Sequence, residues 1–226
     1  MDNLTDVLRN CVIFKNFHGE SIKVLLDKID YKVYSYSKDE TIAMEGDSCS
    51  SIGIVLNGSI EIKKFFASGK TIAIAKFLSG DIFGEVIIFS DINKYPSTII
   101  ASGNCKILFI SKKDIVTLCK MDNLILNNFM GLLSNKILML NKKLKNLSYE
   151  TLRQKITSLL LENYYIDKKN IFQISSSRKQ MAEELGIPRP SLSRELVNMK
   201  KDGLIDFHKN TFKILNLEAM EDILMN

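Results

Sequence analysis

The sequence predicts an α+β chain with two folded parts joined by a long helix, and three observations carry the prediction. From Tyr31 to Ile110, short runs of alternating apolar and polar residues are divided by Gly, Asn, Ser and Asp turns, the pattern of an antiparallel β-sandwich or barrel. Leu126, Met130, Leu133, Ile137, Leu140, Leu144 and Leu147 then recur at 4-3-4-3-4-3 spacing in a segment without proline, as in a two-stranded coiled-coil seam. Finally, Ser177 to Leu215 joins two capped helices to a short apolar hairpin, a winged helix-turn-helix. The domains so read are 1–119, 120–147 and 148–226, the middle one a dimerisation helix.

Composition fits this frame. At 226 residues, 46% hydrophobic and 25% charged, the chain can fill two modest cores and stay in solution. A net charge of +5 permits a nucleic-acid partner without demanding one. Cys11, Cys49, Cys105 and Cys119 are scattered with no CxxC, and MDNLTDVLRN lacks a basic region followed by an apolar run, so a reducing cytoplasm is the expected compartment. No apolar stretch approaches the ~20 residues that span a bilayer, and no membrane partner is expected.

In chain order, Leu4, Val7, Leu8 and Cys11, then Ile22, Leu25, Leu26 and Ile29, keep helical spacing and predict two short covering helices. The period changes to two at Tyr31, and about eight strands follow. Ser51–Leu56 and Ser59–Phe66 flank Asn57-Gly58, which predicts a hairpin with a type I′ turn. Ser111 with Asp114 reads as the capped start of a short helix to about Cys119. The seam helix comes next; Leu132, Leu138 and Met139 widen its apolar face, so packing on its own domain is the alternative to pairing with a second copy. Ser148 is the expected cap of a further helix carrying Leu152, Ile156, Leu159, Leu160 and Tyr164.

The order of strands, the Asn57-Gly58 turn, the run Ser79-Gly80-Asp81-Ile82-Phe83-Gly84-Glu85 and the long helix resembles the cyclic-nucleotide-binding β-roll of the cyclic-AMP receptor protein and fumarate-nitrate regulator (Crp/Fnr) family of transcription factors. The resemblance covers nearly the whole chain. In nucleotide-binding members, the Glu of the Gly-Glu pair holds the ribose hydroxyl, and an Arg followed by Ser or Thr stands eleven residues later. Here that position is Pro96, followed by Ser97 and Thr98. Without the Arg, a buried cyclic phosphate has no guanidinium to pair with, so cyclic AMP is not the expected effector; Lys94 lies two positions away and reads as loop surface. The expected effector pocket comprises Phe83, Gly84, Glu85, Pro96, Ser97, Thr98, Phe129 and Met130, its ligand unidentified. A thiol switch at Cys105 or Cys119, or no effector, stays open.

No cofactor is expected. Iron-sulfur members carry an N-terminal cysteine cluster, and this chain has Cys11 alone there; His18 and His208 are too few and too separated for a metal or catalytic site. The chain does not read as an enzyme.

MAEELGIPRPSLSRELVNMKKDGLI is similar to the winged helix of the same family. Ser177 and Gln180 form a capping box, Gly186 supplies the left-handed turn, and Pro188 and Pro190 fit only before or within the first turn of the second helix. The family's base-reading positions fall on Arg189, Pro190, Ser193 and Arg194, with Ser191 beside them. Pro190 replaces the Glu many members use to accept from cytosine, so the usual half-site is not assumed; Arg194 suits the paired acceptors of guanine. Ser177 and Lys179 complete the expected DNA-binding set, and Lys200, Lys201, Lys209 and Lys213 are expected phosphate or solvent contacts. The implied function is a homodimeric, sequence-specific regulator of transcription acting on a two-fold symmetric duplex, with RNA polymerase a further partner. The alternative, a cyclic-nucleotide-binding or interaction module without DNA binding, leaves the two arginines unused.

Overall fold

The chain opens with α1 (Asp2–Asn10) and α2 (Gly19–Leu26), separated by one 3₁₀ turn at Val12–Phe14. Eight strands follow: β1 (Tyr31–Tyr36), β2 (Thr41–Ala43), β3 (Ser51–Asn57), β4 (Ser59–Phe65), β5 (Thr71–Leu78), β6 (Ile82–Phe83), β7 (Thr98–Ala101) and β8 (Cys105–Ser111). In this computed structural model, which describes residues 2–225, they form two four-stranded antiparallel sheets, β1-β8-β3-β6 and β2-β7-β4-β5. Their inner faces share one core, in which Ile54 and Val55, Ile60, Ile99, Ile107 and Leu108 meet Leu8, Phe14 and Ile22 from the N-terminal helices and turn. This is the β-roll.

Asn57-Gly58 does not close a hairpin. β3 pairs with β6 and β8 while β4 pairs with β5 and β7, so the turn carries the chain from one sheet to the other. Gly58 alone of the two has positive φ (79°), and a Cβ there would meet the Asn104 carbonyl at 2.4 Å. The glycine is thus required by a close approach of backbone, not by a type I′ turn. The β4–β5 hairpin instead turns through Gly69, whose N–H donates to the Phe66 carbonyl at 2.9 Å.

Helix α3 (Lys112–Met121) is capped by Ser111, whose Oγ accepts from the Asp114 N–H at 3.1 Å. Helix α4 (Asn123–Ser148) follows; Ile125 and Phe129 sink into the β-roll core, and the Asn128 amide donates to the carbonyls of Ile13 (3.0 Å) and Lys15 (2.8 Å). The chain divides into two compact units inside this helix, between Lys136 and Ile137, whereas the boundaries read from sequence fall in the last turn of α3 and at the end of α4.

The second unit continues with α5 (Leu152–Asp167), β9 (Ile171–Gln173), α6 (Arg178–Leu185), α7 (Arg189–Lys201), β10 (Ile205–His208), β11 (Thr211–Ile214) and α8 (Leu217–Met225). Its sheet has the order β10-β11-β9. Ile156, Leu160, Met181, Leu185, Leu192, Leu196 and Phe212 form its core, which the unanticipated α8 completes with Met220. The cap of α5 is Thr151 rather than Ser148: Thr151 and Gln154 make a full capping box, while the Ser148 hydroxyl donates back to Lys145 O at 2.8 Å. Within this unit, Lys142 bridges Glu162 (3.2 Å) and Glu184 (2.7 Å), and Asn146 donates to the Glu184 carbonyl at 3.3 Å. Burial opposes the Lys142 charge, but the hydrogen bonds of Glu184 and Glu162 outweigh it and raise its pKa.

Candidate nucleic-acid interface and β-roll pocket

The helix-turn-helix is built from local signals. Ser177 Oγ accepts from the Gln180 N–H while the Gln180 side chain accepts from the Ser177 N–H, so α6 starts at a defined residue. Gly186 (φ 66°) ends it, and the Ile187 N–H returns to the Ala182 carbonyl at 3.0 Å. Pro188 then caps α7, with Pro190 in its first turn where a missing N–H costs nothing. Leu192, Leu196 and Met199 are the buried stripe. Arg153 locks the back of the helix by pairing with Glu195 (2.6 Å) and Asp202 (2.7 Å).

The opposite stripe faces water. Arg189, Pro190, Ser193 and Arg194 are exposed and Ser191 is half-buried, and neither arginine makes an ion pair among the described residues. Lys201 and Lys209 are exposed as well, Lys209 at the wing turn with φ 51°. Lys179 lies 3.9 Å from Glu183, and Ser177 is engaged in its cap. Lys200 is held differently: it pairs with Asp206 at 2.5 Å and sits 5.6 Å from the Phe207 ring, and its hydrogen bond keeps the Asp206 carboxyl below its usual pKa. Lys200 therefore braces the wing from α7.

Arg178 was not among the residues singled out from sequence. Its guanidinium lies over Phe212 (4.7 Å) and Phe207 (5.3 Å) and donates to the Lys209 carbonyl at 2.6 Å. The available signal was its place: a cation in the first turn of a helix stands at the unfavourable end of the dipole, so something other than the helix holds it there.

In the β-roll, Gly84 adopts a left-handed conformation (φ 82°) directly after β6, and the turn that follows carries Glu85 inward, leaving it 1% exposed. Phe83 enters too, its ring resting on Gly53, where a Cβ would come within 2.1 Å. Phe83, Gly84, Glu85, Pro96 and Ser97 line one cavity of about 240 Å³ with Ile62, Phe77, Val86, Ile87, Tyr95, Ile99 and Lys136. Lys136 of α4 pairs with Glu85 Oε1, while Oε2 has no hydrogen-bond partner among the described residues. Ser97 Oγ donates to the Pro96 carbonyl at 2.8 Å. Lys64 reaches the Pro96 carbonyl at 3.4 Å and pairs with Glu45. Lys136 also had a legible mark, as the single charged residue between Asp122 and Lys142.

Three expected pocket residues lie elsewhere. Thr98 Oγ1 accepts from the Glu45 N–H at 3.2 Å, and Phe129 and Met130 line a separate apolar groove of about 400 Å³ with Phe89, Val116, Cys119, Leu126 and Leu133. Along α4, Leu133 is half-buried, while Leu126, Met130, Ile137 (58%), Leu140 (54%), Leu144 (64%) and Leu147 (76%) are exposed.

The cyclic nucleotide-binding domain family model matches residues 33–122, and the Crp-like helix-turn-helix domain model matches residues 154–223. The chain is similar to the cyclic AMP receptor protein of Thermus thermophilus, 22% identical over 92% of this chain and 95% of that one, and to the global nitrogen regulator of Synechococcus elongatus, 20% identical over 85% and 90%. Its fold matches the crystal structure of the Thermus thermophilus catabolite activator protein with a TM-score of 0.54 at 20% identity, covering 95% of this chain and 98% of that one. The chain is also similar to the cAMP-activated global transcriptional regulator CRP of Pasteurella multocida, 22% identical over 80% of this chain and 89% of that one. No helix among the described residues is long and apolar enough to cross a membrane.

Proposed function

Since the chain belongs to the cyclic-AMP receptor protein and fumarate-nitrate regulator family of DNA-binding transcription regulators, we propose that it works as a cytoplasmic homodimer on a two-fold symmetric duplex site and answers to an effector other than cyclic AMP. The observation that carries the DNA half is the first turn and a half of α7, where Arg189, Ser193 and Arg194 stand exposed and the arginines make no ion pair among the described residues. Arg194 reads guanine, Arg189 and Lys201 hold phosphate, and Pro190 withdraws the acceptor that relatives aim at cytosine. RNA polymerase follows as a partner from kinship alone. Selection of duplexes from a random pool tests this: a two-fold repeat with half-sites about one helical turn apart is expected, and recovery of unrelated sequences overturns it.

The exposed seam supports the dimer, because a continuous apolar stripe of this length is rarely left in water. Replacing Ile137 and Leu140 by Asp is expected to give monomers in sedimentation; a wild-type chain already monomeric at micromolar concentration refutes the pairing.

The pocket supports an uncharged or weakly charged effector. Its carboxylate and ammonium already neutralise each other, and Pro96 adds no charge, so a cyclic phosphate would enter with no free cation to meet it. Calorimetry with cyclic AMP is expected to give no micromolar binding. Binding that is lost on Glu85→Ala and that tightens operator affinity contradicts the reading.

A further inference from the structure

We infer that Arg178 is a positioning residue for DNA binding: it clamps the wing turn to the start of α6 and thereby sets where Lys209 meets the phosphate backbone, without touching DNA itself. The inference rests on the DNA-binding reading above and concerns how the head is held in shape.

Four observations converge on it. The guanidinium lies over two rings of the wing, Phe212 at 4.7 Å and Phe207 at 5.3 Å, and these rings belong to an aromatic row that continues to Phe172 of β9. One nitrogen donates to the Lys209 carbonyl at 2.6 Å and another approaches Met181 Sδ at 3.4 Å. Lys209 occupies the left-handed region (φ 51°), which a side chain adopts reluctantly, so a bond to its own carbonyl fixes the residue most ready to relax. A second tie lies next to the first, from the Asn210 amide to the Ser176 carbonyl at 3.1 Å. The wing turn is therefore fastened to both sides of the α6 cap, and its register relative to α7 cannot drift while these bonds hold.

The same geometry argues against a direct DNA contact. Arg178 is half-buried, and burial lowers its pKa, whereas its neighbour Lys179 projects into solvent. A planar cation is needed for both tasks at once, since stacking on a ring and forking to a carbonyl use the face and the edge of one guanidinium; an ammonium manages only one of them.

The test compares Arg178→Met, Arg178→Lys and Lys209→Ala in the full chain. Hydrogen exchange of the DNA-free protein is expected to speed up at the amides of His208, Lys209 and Asn210 in Arg178→Met, with Arg178→Lys intermediate; unchanged exchange overturns the clamp. Against duplex selected by the wild-type chain from a random pool, Arg178→Met is expected to bind about tenfold more weakly. Lys209→Ala should reduce the salt slope by about one phosphate. In the Arg178→Met background, Lys209→Ala should then change neither affinity nor slope further. A simple loss of fold would silence every lysine, so Lys201→Ala must still lower the slope by about one in the Arg178→Met background. Multiplying losses, with each variant lowering the slope, would make Arg178 a phosphate contact and overturn the proposal. If the wild-type chain selects no duplex, the DNA-binding reading fails and takes the Lys209 step with it, while the exchange experiment still decides the clamp.

Discussion

In the β-roll, the cavity-lining Lys136 ends on Glu85, and Lys64, beside the Pro96 carbonyl, on Glu45, so each is neutralised by the same chain; at the start of α7, Arg189 and Arg194 end in solvent. The difference follows from dielectric. A carboxylate as buried as Glu85 must find a cation inside the protein, because water cannot reach it, whereas a guanidinium on an open helix face stays solvated at almost no cost and remains available to a partner. One unit thus presents a nearly neutral concavity and the other an uncompensated positive edge.

The sharpest way to break this contrast is Arg194→Ala. Loss of a guanine pairing removes ~1–3 kcal/mol of discrimination in each half-site, so competition binding should show specific duplex losing affinity while random duplex changes little. Equal losses on both would mean that the helix face is electrostatic only. Next is Lys136→Met, which strands the Glu85 carboxylate. A fully buried pair broken in this way costs ~3–5 kcal/mol; Lys136 keeps about a third of its surface in water (32%), so ~2 kcal/mol is expected after screening. Thermal melting reads it, and adding Glu85→Gln should recover most of the loss. A smaller effect separates two neighbouring lysines. Lys201→Ala should weaken every duplex and reduce the salt slope by about one, whereas Lys200→Ala, whose ammonium is engaged by Asp206, should reduce it less. Smallest is the thiol test. Burial pushes the Cys119 thiol above its usual pKa, which keeps it protonated at neutral pH, so iodoacetamide should label it more slowly than glutathione, with the rate climbing only in alkaline solution. Labelling as fast as glutathione would reopen a redox role.

Where a signal acts within a few residues, the sequence carried it. The Ser177–Gln180 box and the Ser111 cap are settled by side chain–backbone hydrogen bonds three residues apart, and the Gly186 turn and the Pro188 and Pro190 start by the backbone geometry of those residues themselves. Asn57-Gly58 shows the limit. The dipeptide marks a turn correctly, but which strands pair across it depends on partners such as β8, some fifty residues away, and the turn bridges two sheets. The cavity has the same character: Lys136 meets Glu85 across 51 positions, and no spacing rule connects them. Phe129 and Met130 illustrate the converse: they stand only seven and six residues before Lys136 on α4, yet line a different groove.

Lys142 and Asn146 bear on how small an autonomous DNA-reading fragment can be. Both lie on α4, which in sequence looks like the property of a dimer seam, yet their bonds run to Glu162 and Glu184 in the second unit. A fragment trimmed to begin at Thr151 loses this splint and leaves two carboxylates side by side with no ammonium between them. One that begins at Ile137 retains about three helical turns that serve as its buttress. The minimal head therefore starts within a helix, at a place no loop or change of composition announces.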